Sequence, residues 1–259
     1  MDGVILTIFA ACLGAALGSF ANAAATRTVA GRKWWGRERS VCDCCGRTLT
    51  AAELIPIVSY VLLHGRCRTC SARIHPRHIA AEIAGAALAA LFAVRFGASI
   101  ALAFAIVSLP FIIFHSATDI ESGYLFDSWT LAMAICAAAL RATGGMYALL
   151  DGFLGALAGF CIIGLIILIS RGGMGTGDAV LMAGIGALVG IKLTIIALYI
   201  GFILCCAVTL PLLAAKKITR KTHVPLAPFL LAGMAAAMIF GEKILYFSGF
   251  LTPWPWNVI

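Results

Sequence analysis

Two aspartates at the edges of apolar segments have the residue type and placement to act together as acid and base. Asp178 follows the glycine-rich stretch 175–177 at the start of one apolar run, and Asp119 lies at the end of another, residues 100–117. Charged side chains at membrane depth are costly and persist mostly where they have a function. The two residues therefore suggest a hydrolase that uses paired carboxylates within a bilayer.

Such a hydrolase requires two carboxyl groups close enough to share one proton, because like charges at that distance cannot both ionise. The ionised group takes a proton from water, and the protonated group donates to the scissile carbonyl, as in aspartic proteases. The glycines before Asp178 let a backbone approach closely, which helps an extended substrate to lie beside the carboxylate. A helix-capping role, the alternative for Asp178, does not need them.

Other polar residues near the apolar runs have simpler interpretations. Asp127 is interpreted as a helix cap and Glu121 as a solvated loop charge. His115, four residues before Asp119, shares its helical face and either tunes the site or packs in the core. Glu82 is either a buried polar contact or part of a second site.

The composition predicts an all-α integral membrane protein. Of 259 residues, 62% are hydrophobic and only 12% are charged, against about 25% charged in soluble domains. We expect about eight transmembrane helices, although the fourth and sixth segments are short for a span of about 20 residues. The N-terminal segment has no basic region of the kind that begins a cleavable signal peptide. The segments are residues 3–25, 78–95, 98–118, 128–141, 147–169, 178–191, 193–214 and 224–241.

Basic residues predict the orientation of these segments. With eight spans, 15 of the 19 Lys and Arg residues fall on one side, which the positive-inside rule makes cytoplasmic. Both termini would then lie outside, and Asp119 and Asp178 would both lie at cytoplasmic ends of their segments. The net charge of +8 is explained by this topology, and no nucleic-acid partner is expected. The 15 residues are the ten between Arg27 and Arg77, together with Arg171, Lys216, Lys217, Arg220 and Lys221.

Two Cys-x-x-Cys pairs in the first polar loop predict a metal site. Cys42, Cys45, Cys67 and Cys70 could bind zinc tetrahedrally, leaving no open position for a substrate, so the role would be structural. Cys44 could replace a neighbour as ligand, and unliganded thiols are the alternative. Basic residues around the loop would face anionic lipid headgroups. We expect three parts: a first transmembrane helix (1–25), a cytoplasmic zinc-binding loop (26–77) and a membrane protease domain with about seven helices (78–259).

The order of these motifs resembles the type IV prepilin peptidases, which are membrane aspartic proteases of the Gly-x-Gly-Asp kind. The resemblance covers nearly the whole chain. It rests on Gly18-Ser19-Phe20 with Asn22 and Arg27, the cysteine pairs, Ile55-Pro56-Ile57 with Ser59-Tyr60, Gly65-Arg66-Cys67, Pro76-Arg77 with Glu82, Asp119 with Asp127, Gly173-Met174-Gly175 with Gly177-Asp178, and the stretch 225–229. Two departures, Phe126 in place of proline and Val180 in place of lysine, leave both aspartates intact and leave substrate preference open.

The resemblance implies cleavage of a short basic leader from prepilins and pseudopilins in the bacterial cytoplasmic membrane. It makes Asp119 and Asp178 the catalytic pair and the cysteine loop a zinc-binding cytoplasmic domain. It also implies N-methylation of the new N-terminus with S-adenosylmethionine. A presenilin-like intramembrane protease and a proton-coupled transporter are the alternatives. The cysteine pairs argue against the first, and the lack of internal repeats argues against the second.

Overall fold

The computed structural model describes residues 2–35, 39–170, 173–219, 222 and 224–256. The basic residues Arg37, Arg171, Arg220 and Lys221, which contribute to the predicted orientation, lie outside this part of the chain. The described residues form helices α1 (Asp2–Val29), α2 (Val58–Leu62), α3 (Pro76–Phe96), α4 (Ile100–Ser122), α5 (Asp127–Ala142), α6 (Gly145–Ile169), α7 (Thr176–Val189), α8 (Ile191–Ala214) and α9 (Ala227–Phe247).

The all-α membrane architecture predicted from the sequence is confirmed. Six of the described helices, namely α1, α3, α4, α6, α8 and α9, are long and apolar enough to cross a membrane. The fourth and sixth apolar segments are the shorter helices α5 and α7, of 16 and 14 residues. No strand occurs among the described residues, where β-structure is limited to two isolated bridges in the cysteine loop.

The first of two compact units, Met1–Ala98, is built on the packing of α1 against α3. Glycines make this contact close: a Cβ added at Gly14 would overlap the backbone of Gly85, and one added at Gly18 would overlap that of Ala81. Lipid provides no hydrophobic driving force for helix association, so membrane helices associate through close van der Waals packing. Small residues such as these glycines allow that close approach. The cysteine loop and α2 connect these two helices.

The second unit, Ser99–Ile259, contains α4 to α9. In it α7 packs against α5, α6, α8 and α9, so this short helix is surrounded by longer ones. The contact with α6 is the closest, because a Cβ added at Gly186 would overlap the backbone of Gly155. The positions of Gly155 and Gly186 therefore hold α7 tightly against α6.

A buried arginine fixes the C-terminal end of α7. Arg141, at the end of α5, is only 1% exposed. Its Nε donates to the carbonyl of Ala187 (2.8 Å) and its Nη2 to that of Leu188 (3.1 Å), both in the last turn of α7. Its Nη1 pairs with Asp151 Oδ2 at 3.1 Å, and Asp151 Oδ1 accepts from the first amide of α8, that of Ile191. This network provides partners for helix ends that would otherwise leave polar groups unsatisfied.

Candidate carboxylate and metal sites

Asp119 lies in the last turn of α4 and is 6% exposed. The helix ends at Gly123, whose left-handed backbone (φ 69°) lets its amide donate to the carbonyl of Asp119 at 2.9 Å. The carboxylate Oδ2 accepts a hydrogen bond of 2.8 Å from the amide of Ala227. Ala227 is the first residue of α9, so its amide has no partner within that helix. The N-terminus of α9 therefore points a donor at Asp119.

Asp178 is the third residue of α7 and is partly exposed. The N-cap of this helix is Gly175, in extended backbone (φ −73°, ψ 145°), and the amide of Asp178 donates to the Gly175 carbonyl at 3.2 Å. Gly175 therefore occupies the N-cap position, and Asp178 does not have the alternative role of helix cap. Its carboxylate stands in the first turn, where the helix end favours negative charge.

The start of α7 contacts the turn that follows Asp119. A Cβ added at Gly177 would lie 3.1 Å from the Cβ of Leu125, in the turn between α4 and α5. Both α4 and α7 also pack against α9. The segments that carry the two aspartates are therefore neighbours within one unit. Gly177 is needed here for space rather than for its backbone conformation.

The other polar residues near Asp119 are either packed in the core or exposed at the surface. His115 is fully buried, and its Nε2 lies 3.3 Å from the hydroxyl of Thr130 on α5, so it is a packed core histidine. Glu121 is exposed, as expected for a solvated charge. Asp127 is exposed too, but it is the first residue of α5 and Phe126 occupies the N-cap position, so the interpretation of Asp127 as the helix cap is wrong.

The sequence reasoning missed the role of the Ala227 amide. The sequence signal for it is the stretch 225–229, which contains two prolines and contributes to the family resemblance. Proline is frequent at the first positions of helices, because those positions need no donor. Such a stretch therefore marks a helix N-terminus, but its meeting with Asp119, 108 residues earlier, is a tertiary contact.

The four predicted metal ligands come together. The sulfurs of Cys42, Cys45, Cys67 and Cys70 all lie within 4.8 Å of one another, and Cys42 Sγ is 3.8 Å from Cys70 Sγ. Tetrahedral coordination with bonds of about 2.3 Å separates two thiolate sulfurs by about 3.8 Å. The group could therefore hold a metal ion of this size. Cys44 is exposed and lies outside the group, so it does not replace one of the four.

The two cysteine turns repeat one backbone pattern. In each turn the amide of the first cysteine donates to the carbonyl five residues on, at 2.8 Å for both Cys42 and Cys67. The amide four residues on donates back to the carbonyl of that first cysteine, at 2.9 Å and 3.0 Å respectively. The donors are Gly46 and Ser71, both with left-handed backbone (φ 69° and 56°). The loop therefore presents its ligands from two equivalent turns.

Backbone donors prepare these sulfurs to act as thiolates. The pKa of Cys67 is lowered to about 6, first by a hydrogen bond from the backbone N–H of Cys70 and then by that of Thr69. The pKa of Cys42 is lowered in the same way, mainly by the amide of Cys45. The pKa of Cys70 is raised to about 12, because burial and neighbouring sulfurs outweigh a favourable backbone amide. Four clustered thiols cannot all ionise alone, and a divalent cation would remove that conflict.

An ion pair supports the first turn. Arg47 Nη2 lies 2.6 Å from Glu53 Oε1, and Glu53 Oε2 accepts from both the amide and the hydroxyl of Thr50, at 2.9 Å and 2.8 Å. Hydrogen bonds from Arg47 and then from Thr50 lower the pKa of Glu53 to about 2. The acid therefore stays ionised at neutral pH and ties the turn of Cys42 to the short 3-10 helix Ala51–Leu54.

Fold and sites together define a multi-pass α-helical membrane protein with a four-cysteine group able to bind a metal. Residues 12–96 match the family described as Bacterial Peptidase A24 N-terminal domain, and residues 106–210 match the Type IV leader peptidase family. The chain belongs to the type IV leader peptidase family.

Several curated relatives share most of the chain. A prepilin leader peptidase/N-methyltransferase of Bacillus subtilis is 34% identical over 81% of this chain and 84% of its own length. A protein of the same name from Burkholderia pseudomallei is 35% identical over 82% of this chain and 70% of its own. A third, from Pseudomonas putida, is 27% identical over 94% of both chains. No solved structure matches the chain.

Proposed function

We propose that this protein is a membrane aspartic endopeptidase that removes the basic leader peptide of type IV prepilins or pseudopilins and then N-methylates the new N-terminus. The observation that carries the peptidase half is the meeting of the segments that bear Asp119 and Asp178 at one end of the second unit. The methyltransferase half is supported by the curated relatives, which are named for both activities. The prepilin substrate is likewise suggested by those names.

Asp119 and Asp178 are the proposed catalytic pair. One carboxylate, ionised, accepts a proton from water, and the other, protonated, donates to the scissile carbonyl. Asp178 is partly exposed, so water could reach it, whereas the burial of Asp119 and the amide of Ala227 hold that carboxyl group in place. Gly175, where an added Cβ would meet only Asp178 Oδ2 at 3.6 Å, leaves room for the extended backbone of a leader peptide beside Asp178.

The test is cleavage of a purified prepilin in detergent, read by mass spectrometry. We expect the wild-type protein to cleave, and Asp119→Asn and Asp178→Asn to lose cleavage while remaining folded. Glu121→Gln is the matched control, because it neutralises an exposed acid two residues from Asp119. Substantial residual cleavage by either aspartate variant would refute the pair, and loss of cleavage in the control would show a nonspecific charge effect.

Zinc is the proposed metal for the cysteine group, in a structural role. Four thiolates are a ligand set that structural zinc sites use, and they leave no position open for chemistry. We expect Cys67→Ser to lower both the zinc content and the melting temperature of the purified protein. Cys44→Ser is the matched control, since Cys44 lies outside the group. Full zinc occupancy in Cys67→Ser would exclude the four-thiolate site.

The methyl donor is proposed to be S-adenosylmethionine. When bound, it would supply an electrophilic methyl group to the neutral amine of the new N-terminus, with S-adenosylhomocysteine and a proton as the other products. Products heavier by one methyl group, formed only when S-adenosylmethionine is added, are the expected result.

We place the protein in the bacterial cytoplasmic membrane, because its curated relatives are bacterial and its helices are long enough to span. The proposed organisation has a first transmembrane helix (1–25), a cytoplasmic zinc-binding loop (26–77) held near anionic lipid, and a protease domain (78–259), with both termini outside. Reporter fusions after residue 77 and at the C-terminus test it. Equal cytoplasmic signals from both would contradict this orientation.

A further inference from the structure

The first unit contains a cavity that the peptidase reaction does not use. It measures about 470 Å³ and lies between the C-terminal half of α1, the start of α3 and the cysteine loop. Small-molecule sites have volumes of about 300–1,000 Å³, so a nucleoside-sized ligand fits. The residues that carry the argument are Ala23, Arg27, Tyr60, Arg73, His78 and Glu82.

A network of hydrogen bonds shapes the floor of the cavity. Glu82 Oε1 accepts from the hydroxyl of Ser19 on α1 at 2.8 Å, and its Oε2 accepts from the backbone amide of Ile57 at 2.7 Å. Ile57 is held in left-handed backbone (φ 63°), which is rare for a β-branched residue and is found mainly where function requires it. Next to them, Asn22 Nδ2 lies 2.9 Å from His78 Nδ1. Glu82 is therefore fixed by two separate elements.

The lining carries both signs of charge and an apolar wall. Arginines and carboxylates both face the cavity: Arg27, Arg32, Arg39 and Arg73, with Asp43, Glu53 and Glu82. Glu53 is already paired with Arg47, and Glu82 is the carboxylate that belongs to the hydrogen-bond network of the floor. Tyr60 and Ile79 add apolar surface. A purely anionic ligand would meet Glu82, and a purely apolar one would cover guanidinium groups without pairing them.

We propose that this cavity binds S-adenosylmethionine, an inference that rests on the methyltransferase half of the proposed function. The ligand carries a carboxylate, two cationic groups and a planar base. Arg73 would hold the carboxylate, Glu82 would face the cationic groups, and Tyr60 would lie along the base. Cys42 and Cys67 also line the cavity, so the metal-holding turns form one of its walls.

The experiment titrates S-adenosylhomocysteine, the unreactive product, into the full-length protein in detergent and follows binding by calorimetry. Arg73→Ala removes a guanidinium, Glu82→Gln removes the charge on the floor, and Ala23→Phe fills space from α1. We expect each to weaken binding at least tenfold, with zinc content and melting temperature unchanged in Arg73→Ala, whose side chain is exposed.

Two matched controls share the chemistry of these changes without touching the cavity. Arg68→Ala removes an exposed arginine of the same loop, and Ala16→Phe enlarges an exposed position on the same helix. We expect both to bind S-adenosylhomocysteine within about twofold of wild type, because neither residue lines the cavity.

The outcomes separate this inference from the proposed function. Wild-type affinity in all three cavity variants would place the ligand elsewhere and overturn the inference, while the methyltransferase activity stands. A wild-type protein that cleaves prepilin but binds no S-adenosylhomocysteine would overturn both the inference and the methyltransferase half. Displacement of S-adenosylhomocysteine by anionic phosphatidylglycerol, with no methylated product, would make the cavity a lipid site instead.

Discussion

The ion pair at the end of α7 gives a prediction whose size follows from its geometry. Asp151→Asn retains an oxygen for the amide of Ile191 but removes the charge that pairs with Arg141 at 3.1 Å. A hydrogen bond to a charged group contributes about 1.5–3 kcal/mol. The full cost of breaking a buried pair, about 3–5 kcal/mol, is not expected, because Arg141 keeps the carbonyls of Ala148, Ala187 and Leu188 as acceptors. We therefore expect a loss of about 2 kcal/mol.

Thermal unfolding of the purified protein measures this loss. For a chain of this size, 1 kcal/mol shifts the melting temperature by about 2–4 °C, so Asp151→Asn should lower it by about 4–8 °C. Asp127→Asn is the matched control, because Asp127 is exposed at the start of α5, the opposite end of that helix from Arg141. This variant should lose less than about 1 kcal/mol of stability.

A double-mutant cycle decides whether the pair itself is responsible. Arg141→Met combined with Asp151→Asn should destabilise by at least about 1 kcal/mol less than the sum of the single changes. Prepilin cleavage well below the melting temperature should persist in Asp151→Asn, because ten helical residues, about 15 Å, separate Asp178 from Leu188. Additive effects, or a shift no larger than that of the control, would refute the reasoning.

Three further predictions concern glycines and one acid. Gly46 and Ser71 both have left-handed backbone, so Gly46→Ala should weaken zinc binding and lower the free energy of unfolding by about 1 kcal/mol, while Ser71→Gly should be neutral or stabilising. Competition with a chelator compares the zinc affinity of the two variants. Gly186→Ala should strongly reduce the yield of folded protein, since the new Cβ overlaps the backbone of α6, whereas Gly164→Ala on α6 has open space and should not; size-exclusion profiles report both. The pKa of Glu53 is lowered to about 2 in the folded protein, so the stability that its ion pair contributes is complete above the unfolded pKa of about 4.3 and is lost as the pH falls to about 2. Over that pH range, melting curves of the wild-type protein should lose more stability than those of Glu53→Gln, and equal losses would contradict the pair.

The two family matches assign the proposed methyltransferase and peptidase sites to different units of the chain. Residues 12–96 match the N-terminal domain description, and they contain both the cysteine group and the cavity. Residues 106–210 match the peptidase description and contain both aspartates. The proposed methyl donor and the proposed catalytic pair therefore belong to different units, and variants of one unit should affect the two activities unequally.

Local patterns in the sequence determined much of this protein. Hydropathy alone indicated an all-α membrane protein and located eight segments that are helical in the described part of the chain, six of them long and apolar enough to span a membrane. It succeeds because a spanning helix must satisfy its own backbone hydrogen bonds within a continuous apolar stretch. The paired Cys-x-x-Cys spacing named the four residues whose sulfurs lie within 4.8 Å. Apolar stretches and cysteine pairs are patterns of residues close together along the chain, so the sequence alone is enough to reveal them.

Tertiary structure decided what each polar residue contacts. Spacing placed His115 on the face of Asp119, but the fold buries it against Thr130. The sequence allows two roles for Glu82, and only the fold shows it joining α1 to the backbone of Ile57. The amide of Ala227 reaches Asp119 across 108 residues because α9 begins where α4 ends. Hydrogen bonds act over about 3 Å, so partners this far apart in sequence are chosen by helix packing alone.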